Sequence, residues 1–303
     1  MINFNNKKIV VTGANGMIGK ELVRILKEEY SPESVLEADL PIYDLRERVD
    51  AAYVCDGQDI VFHLAGIKGS PQRCMESPAS FSVPMIQFNA NMVEAAHNYD
   101  VEWFLYTSSV GVYHPAEVFV EDDVWSTFPS ENDWFAGWAK RIGEMNVEAY
   151  MKQYNWNKCS TVRPANVYGP NDNFGQWSMV VPSLIKKAME NDVLSVWGDG
   201  SPIRDLIYAE DVARGMIHMV ENKITKPVNL GSGTGVTIRE IAEIIAEYFG
   251  REIEWDTTKP MGDMKRLMSM DRAKSYGFTP TTELKDGIIK TIEWYKENKD
   301  VLY

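Results

Sequence analysis

Residues Lys8–Gly19 read KIVVTGANGMIG, and this stretch decides the fold. KIVVT is a short apolar run of the kind that forms a buried strand. It breaks into Gly13, Gly16 and Gly19, after which Met17–Tyr30 carries apolar residues at helical spacing. Strand, GxxGxxG turn and helix in that order open a dinucleotide-binding βαβ unit. Gly13 permits the tight turn, Gly16 lets the backbone approach a pyrophosphate, and Gly19 lets the helix close onto the sheet. Asn15, Met17 and Ile18 complete the turn, and the helix N-terminus offers free amides and a positive dipole end to the phosphates. Three glycines alone would equally suit an ordinary strand-to-helix turn. Asp39 adds to them: it ends the next short strand, Val35–Asp39, twenty residues past Gly19. A carboxylate there can hydrogen-bond the adenosine ribose hydroxyls and repels a 2′-phosphate, so the sequence predicts NAD rather than NADP. The plainer reading of Asp39 is a solvated turn acid.

Outward from this unit, short β-rich runs alternate with helical patterns up to about residue 165, as in an α/β fold with a doubly wound parallel sheet. Asp59–Ala65 (DIVFHLA) is apolar on both faces, like a central parallel strand. Ala79–Tyr99 reads helical, Trp103–Ser108 strand, Trp134–Gln153 helix and Cys159–Arg163 strand. After Pro164 the texture shifts to loops rich in Gly, Pro and Asn between short strands and helices such as Ile238–Tyr248. The expected division is a Rossmann-type domain over 1–165, with some later segments returning to it. A smaller α/β substrate domain over 166–303 would follow, with the cleft between the two.

Composition narrows the partners. The 303 residues carry 44 acidic and 31 basic side chains, a formal charge of −13, which argues against a nucleic-acid backbone or an anionic membrane. Cys55, Cys74 and Cys159 are odd in number and lack metal-ligand spacing, so neither a disulfide framework nor a zinc site is expected and no metal is implied. MINFNNKKIVV has no signal-peptide core and no run approaches a membrane span, so a cytoplasmic location is expected.

Eight motifs in order then carry a resemblance over nearly the whole chain. They are TGANGMIG (12–19), Asp44-Leu45-Arg46, HLAG (63–66), YTSSVGVY (106–113), GWAKRIGE (137–144), RPANVYGP (163–170), VWGDGSPIRDLIYAEDVA (196–213) and NLGSG (229–233). With them the chain resembles the extended short-chain dehydrogenase/reductase family of NAD-dependent nucleotide-sugar epimerases, dehydratases and 4-ketoreductases. The resemblance implies that Asp44 and Leu45 contact the adenine, and that Leu64, Ala65 and Gly66 lie along the cofactor. Thr107 would stand beside the nicotinamide ribose, with Pro164 also at the cofactor. Lys140 would bridge the ribose hydroxyls, and Ser109 would bond the reacting sugar oxygen. Asn166 and Arg204 would hold the substrate's diphosphate, Arg204 as a planar bidentate donor unless a neighbouring acid claims it. Within the family the texture is closest to GDP-fucose synthase-like GDP-sugar 4-ketoreductases. That closer likeness places Lys187, Trp197 and the Lys265–Arg266 pair at the nucleotide or diphosphate, although Trp197 also suits a core and Lys187 a solvated helix face. Family members commonly form homodimers through two helices, here Ala79–Tyr99 and Trp134–Gln153. The second carries Ile142, Met145 and Ala149 on one side, which would equally suit an intramolecular core. Kinship also implies a route to a cell-surface polysaccharide or glycan precursor.

Three departures matter. The family's acid/base is a tyrosine four residues before the lysine, where i, i+4 spacing puts both on one helix face and the ammonium lowers the phenol pKa. That position is Ala136, and Phe135 points about 100° away. GDP-fucose synthase also uses a cysteine and a histidine for 3,5-epimerisation, where this chain has Val110 and Met179, so it is not expected to be that epimerase. Met85 replaces a usual asparagine. The expected activity is hydride transfer at C4 of a sugar nucleotide, with a GDP-sugar favoured. The alternatives are an engineered, inactive Tyr→Ala variant of such an enzyme and a non-catalytic protein that binds NAD and a sugar nucleotide. Lys140 through a water, Ser109, Tyr113 and Lys68 are candidate stand-ins for the tyrosine, with His114 and Asp133 more remote; Lys68 would otherwise be a substrate-side cation.

Overall fold

A computed structural model describes residues 1–67, 69, 71–259 and 262–301, without the side chains of Pro71, Gln72 and Val301. Strand β1 (Lys8–Thr12) pairs in parallel with β2 (Ser34–Ala38) on one side and β3 (Ile60–His63) on the other. The sheet continues through β4 (Trp103–Thr107) and β5 (Cys159–Pro164). Val228–Leu230 closes it as β9, so a segment from the later half returns to the sheet. The order β2-β1-β3-β4-β5-β9 runs outward both ways from the β1–β3 junction, the switch point where such sheets bind ligands at their carboxyl ends.

Period-2 alternation divides the core. Ile9 and Val11 pack with Leu22, Ile25 and Leu26 of α1 (Met17–Glu29) and with Val212, Met216 and Val220 of α7 (Ala209–Glu221). Val10 and Val61 face the other way, toward Val54 of α2 (Arg48–Cys55), Met85 and Met92 of α4 (Pro78–Asn98), and Ala139 and Val147 of α5 (Trp134–Tyr154). With helices on both faces, every residue of β3 and β4 is buried, which is why IVFH and WFLYT are dominated by apolar side chains. The short α3 (Pro71–Glu76) precedes α4.

The later residues build a third core beside the sheet's carboxyl edge. Strands β6 (Asn166–Tyr168), β8 (Ile203–Tyr208), β10 (Gly235–Thr237) and β12 (Lys265–Arg266) form one small sheet, and β7 (Val193–Trp197) pairs with β11 (Glu252–Asp256). Leu184 and Ile185 of α6 (Val180–Glu190) and Ile241 and Ile245 of α8 (Ile238–Phe249) pack over them. Thr237 and Glu240 close a capping box at the start of α8, satisfying amides that the helix leaves unpaired. Among the described residues no helix is long and apolar enough to cross a membrane, and no cluster of side chains could hold a metal.

Candidate active site

One continuous cleft of about 1530 Å³ runs from the glycine turn, along the carboxyl ends of the parallel strands, to the small sheet. At its first end Gly13 takes φ +67°, and a β-carbon there would lie 2.9 Å from the Ala65 amide. At Gly19 it would lie 2.2 Å from the Gly13 carbonyl, so the turn admits nothing larger at either position. No side chain caps α1 and no acid sits in its first turn, which leaves its positive end open to an anion. The Asp39 carboxylate accepts the Asn15 and Leu40 amides, both at 2.9 Å, at the edge of this cradle. Met17, Ile18, Asp44, Leu45, Leu64, Ala65, Gly66 and Pro164 all line the cleft. Asn15 does not: its side chain is exposed outside the cleft, and its amide is spent on Asp39. Asp44 is bound side-on by the Arg46 guanidinium, which holds its carboxyl below the usual range. Thr107 Oγ1 is buried, lines the cleft and has no hydrogen-bond partner among the described residues. The open helix end, the glycine cradle and this orphaned hydroxyl fit a dinucleotide with its ribose at Thr107.

Lys140 rises from α5 into the middle of the cleft, 9% exposed. Its ammonium donates to the Thr107 carbonyl at 2.8 Å and lies 5.5 Å over the Tyr106 ring. Glu144, the carboxylate one turn along, is already held by Arg163 at 2.7 Å and by Ser108. Burial therefore pushes the Lys140 ammonium down to about 8, against a smaller opposing pull from Glu144.

Beneath the lysine runs a polar chain whose directions can be assigned. Thr12 Oγ1 accepts the Leu64 and Ala65 amides, both at 3.1 Å, so its own proton goes to His63 Nδ1 at 2.8 Å. His63 then donates from Nε2 to Asn89 Oδ1 at 3.0 Å, and Asn89 donates to the Tyr106 hydroxyl at 3.1 Å. Tyr106 donates to the Lys140 carbonyl at 3.2 Å. This arrangement needs a neutral imidazole, and burial together with the Lys140 charge lowers His63 to about 3.

The far end of the cleft is built differently. The Ser109 hydroxyl accepts the Gly111 amide at 3.1 Å. Val110, Met179, Met85 and Ala136 line the cleft with it, and Met85 is buried. Asn166 donates to the Asp205 carbonyl at 3.1 Å. Arg204 lines the cleft with no ion pair among the described residues, so the domain-closing contact is not formed; burial and the neighbouring Arg266 lower it to about 10. Trp197 is 52% exposed rather than core, with the Lys187 and Lys259 ammoniums 5.6 and 5.8 Å from its ring. Arg266 lies in the cleft, but Asp133 (2.6 Å) and Asp263 (2.5 Å) hold its guanidinium, so its charge is matched rather than offered. Lys265 pairs with Glu117 at 2.5 Å and does not line the cleft, a correction to the expected Lys265–Arg266 pair.

The profile of the NAD dependent epimerase/dehydratase family matches residues 9–231. The chain belongs to that family. It is 34% identical to a putative GDP-L-fucose synthase 2 of Arabidopsis thaliana, over 96% of this chain and 92% of that one. It is 33% identical to a GDP-L-fucose synthase of Sinorhizobium fredii, over 98% of both chains. A Campylobacter jejuni GDP-mannoheptose C4 reductase, solved with NADP bound, shares its fold at a TM-score of 0.87 and 24% identity, over 98% of this chain and all of that one.

As a member of the epimerase/dehydratase family, the chain sets Ala136 and Lys140 one turn apart on α5, both lining the cleft, with no hydroxyl at Ala136. Tyr113 is no substitute: it is buried outside the cleft, donates to Asn229 at 2.5 Å and accepts from Arg163 at 2.9 Å. His114 is exposed and also outside the lining. Lys68 lies outside the described residues. Sequence reasoning missed the Arg266 clamp, whose Asp133 side joins segments far apart in the chain with no local signal, although its Asp263 side is only three residues away. It also missed Asn89, although an asparagine on the helix face shared by Met85, Phe88, Met92 and Val93 was a usable signal.

Proposed function

We propose that the protein is an NAD-dependent nucleotide-sugar oxidoreductase or epimerase that transfers hydride at sugar C4, with a GDP-sugar as substrate, in the cytoplasm. The observation that carries this reading is one cleft that joins the glycine cradle, Lys140 with Ser109, and Arg204 with Trp197. The relatives' names supply the GDP-sugar class. Residues 1–165, together with β9, would hold the dinucleotide and 166–303 mainly the sugar nucleotide.

When bound, the nicotinamide supplies or accepts the hydride. Lys140 and the orphaned Thr107 hydroxyl hold the ribose, and the Ser109 hydroxyl fixes the sugar oxygen at C4. Arg204, with no ion pair among the described residues, takes the diphosphate, with Asn166 beside it; Trp197 stacks on the base between Lys187 and Lys259. Val110 and Met179 cannot move protons at C3 and C5, so 3,5-epimerisation is outside this chemistry. Asp39 favours NAD: its carboxylate stands at the cradle's edge, and the Arg46 guanidinium, which also lines the cleft, is committed to Asp44. A homodimer through α4 and α5 is supported by Val83 and Met145, half-exposed, and by Ala149, also exposed and therefore not core.

The test is single-turnover absorbance at 340 nm with NADH or NAD+ against GDP-, UDP- and dTDP-hexoses and their 4-keto forms, run on the wild type and on Ala136→Tyr. Turnover confined to GDP-sugars supports the reading. Silence from both proteins, with binding retained, overturns it in favour of a non-catalytic binding protein. Asp39→Ser should shift the NADPH/NADH ratio of kcat/KM about tenfold toward NADPH, the effect of one lost charge repulsion near 1.4 kcal/mol.

A further inference from the structure

In a site where Ala136 leaves no phenol, we infer that Lys140 itself carries the proton to and from the sugar's C4 oxygen, while Ser109 fixes that oxygen. This rests on the function proposed above and asks which group of the same cleft completes its chemistry.

The geometry leaves few candidates. Proton transfer needs a titratable group in the cleft with a transferable hydrogen. Tyr113 and His114 stand outside the cleft, and Asp133 is tied to Arg266 at 2.6 Å. Cys74 lines the cleft, but burial and the nearby Asp133 charge raise its thiol to about 11. Lys140 has three ammonium hydrogens and spends one on the Thr107 carbonyl. A β-carbon at Gly66 would meet Nζ only in ordinary van der Waals contact at 3.6 Å, so the HLAG loop passes beside the ammonium without crowding it. Ala136, one turn back along α5, opens the same side of the cleft that a tyrosine ring would fill.

The groups facing the ammonium agree. Glu144 of its own helix is held by Arg163 and Ser108, His63 of β3 is neutral, and Tyr106 of β4 presents its ring face. Among the described residues no carboxylate pins the charge, so burial brings it to about 8, where an ammonium can both give and regain a proton near neutrality.

The step balances. In the reductive direction the ketone carbon takes the hydride that the reduced nicotinamide gives up, and the carbonyl π pair collects on the oxygen. One N–H bond of Lys140 breaks as the new O–H bond forms. The resulting neutral amine regains its proton from water. Oxidation runs the same steps backward, with the neutral amine as base.

Hydride transfer would be followed at 340 nm by rapid mixing, with NADH and GDP-4-keto-6-deoxymannose first and the rest of the 4-keto panel after it. Lys140→Arg keeps the positive charge but does not deprotonate. The expected result is a loss of at least about 10²-fold in the hydride step. NADH affinity by fluorescence should stay within a few-fold. Because arginine could misfit the buried slot, Lys140→Ala with added ethylamine gives a second readout. Recovery that tracks the pKa across a series of small amines is expected. The wild-type reductive rate should fall as pH rises through about 8. Lys140→Arg activity within a few-fold of wild type overturns the assignment, as does amine rescue indifferent to pKa. A wild type that is silent while Ala136→Tyr turns over also overturns it and leaves the function standing. Silence from both overturns the function and this inference together.

Discussion

Two buried cations share the neighbourhood of Glu144, and the protein treats them in opposite ways. Arg163 is fully buried, donates from Nε and Nη2 to Glu144 at 2.9 and 2.7 Å, and also binds the Tyr113 hydroxyl and the Glu121 carbonyl. Burial alone would lower its pKa, but Glu144 and Tyr113 hold it above the ordinary guanidinium value. Lys140 is buried too, yet among the described residues its ammonium donates only to a carbonyl. The guanidinium's planar fork lets one carboxylate neutralise it completely, which suits a strut between α5 and β5. The compact ammonium beside an already committed glutamate keeps a charge that the protein does not balance. A matched buried charge holds structure, whereas an unmatched one costs stability and stays available to a ligand.

Removing one partner should break the matched side. Glu144→Ala strands the Arg163 charge in the core and is expected to cost about 3–5 kcal/mol in urea unfolding. A loss below about 1 kcal/mol would mean that the pair is not the strut described. The unmatched side should respond with the opposite sign. The folded-state pKa of Lys140, about 8, lies below its ordinary value of 10.5. The unfolded chain therefore binds the proton more tightly: the full penalty acts below pH 8 and fades as pH rises toward 10.5. Lys140→Met should then gain up to about 3 kcal/mol at pH 7 while losing activity, and the gain should shrink above pH 8. A destabilised variant at pH 7 would erase the contrast.

His63 sharpens the comparison in acid. Its folded pKa of about 3 lies below the usual 6.5, so its stabilising contribution is complete above pH 6.5 and is lost as pH falls toward 3. Wild-type stability should drop by about 2 kcal/mol by pH 5 from this group, and His63→Gln should flatten that limb whatever its own baseline. An unchanged slope in the variant would assign the acid limb to other groups.

What was legible in the sequence follows the range of the interactions. The strand, turn and helix of Lys8–Glu29 are set by neighbours a few residues apart, and they fold as read. DIVFHLA and WFLYT announce burial on both faces by composition alone. The resemblance brought most of its named residues into one cleft. Lys265 fell outside it because its ammonium reaches Glu117, and Arg266 came in already neutralised. Those pairings join segments far apart in the chain, and no spacing rule spans them. The Thr12–His63–Asn89–Tyr106 chain was equally hidden, since each link joins a different element.

That chain has a further consequence. Because each member's role is fixed by the one before it, the row can be wired in only one sense, from the amides of Leu64 and Ala65 to the Lys140 carbonyl. The spacing between the glycine turn and α5 is thus set by polarity as well as by volume. A substitution at Asn89 that kept the shape but lost the amide would fill the space and still leave the His63 Nε2–H without its acceptor and the Tyr106 oxygen without its donor.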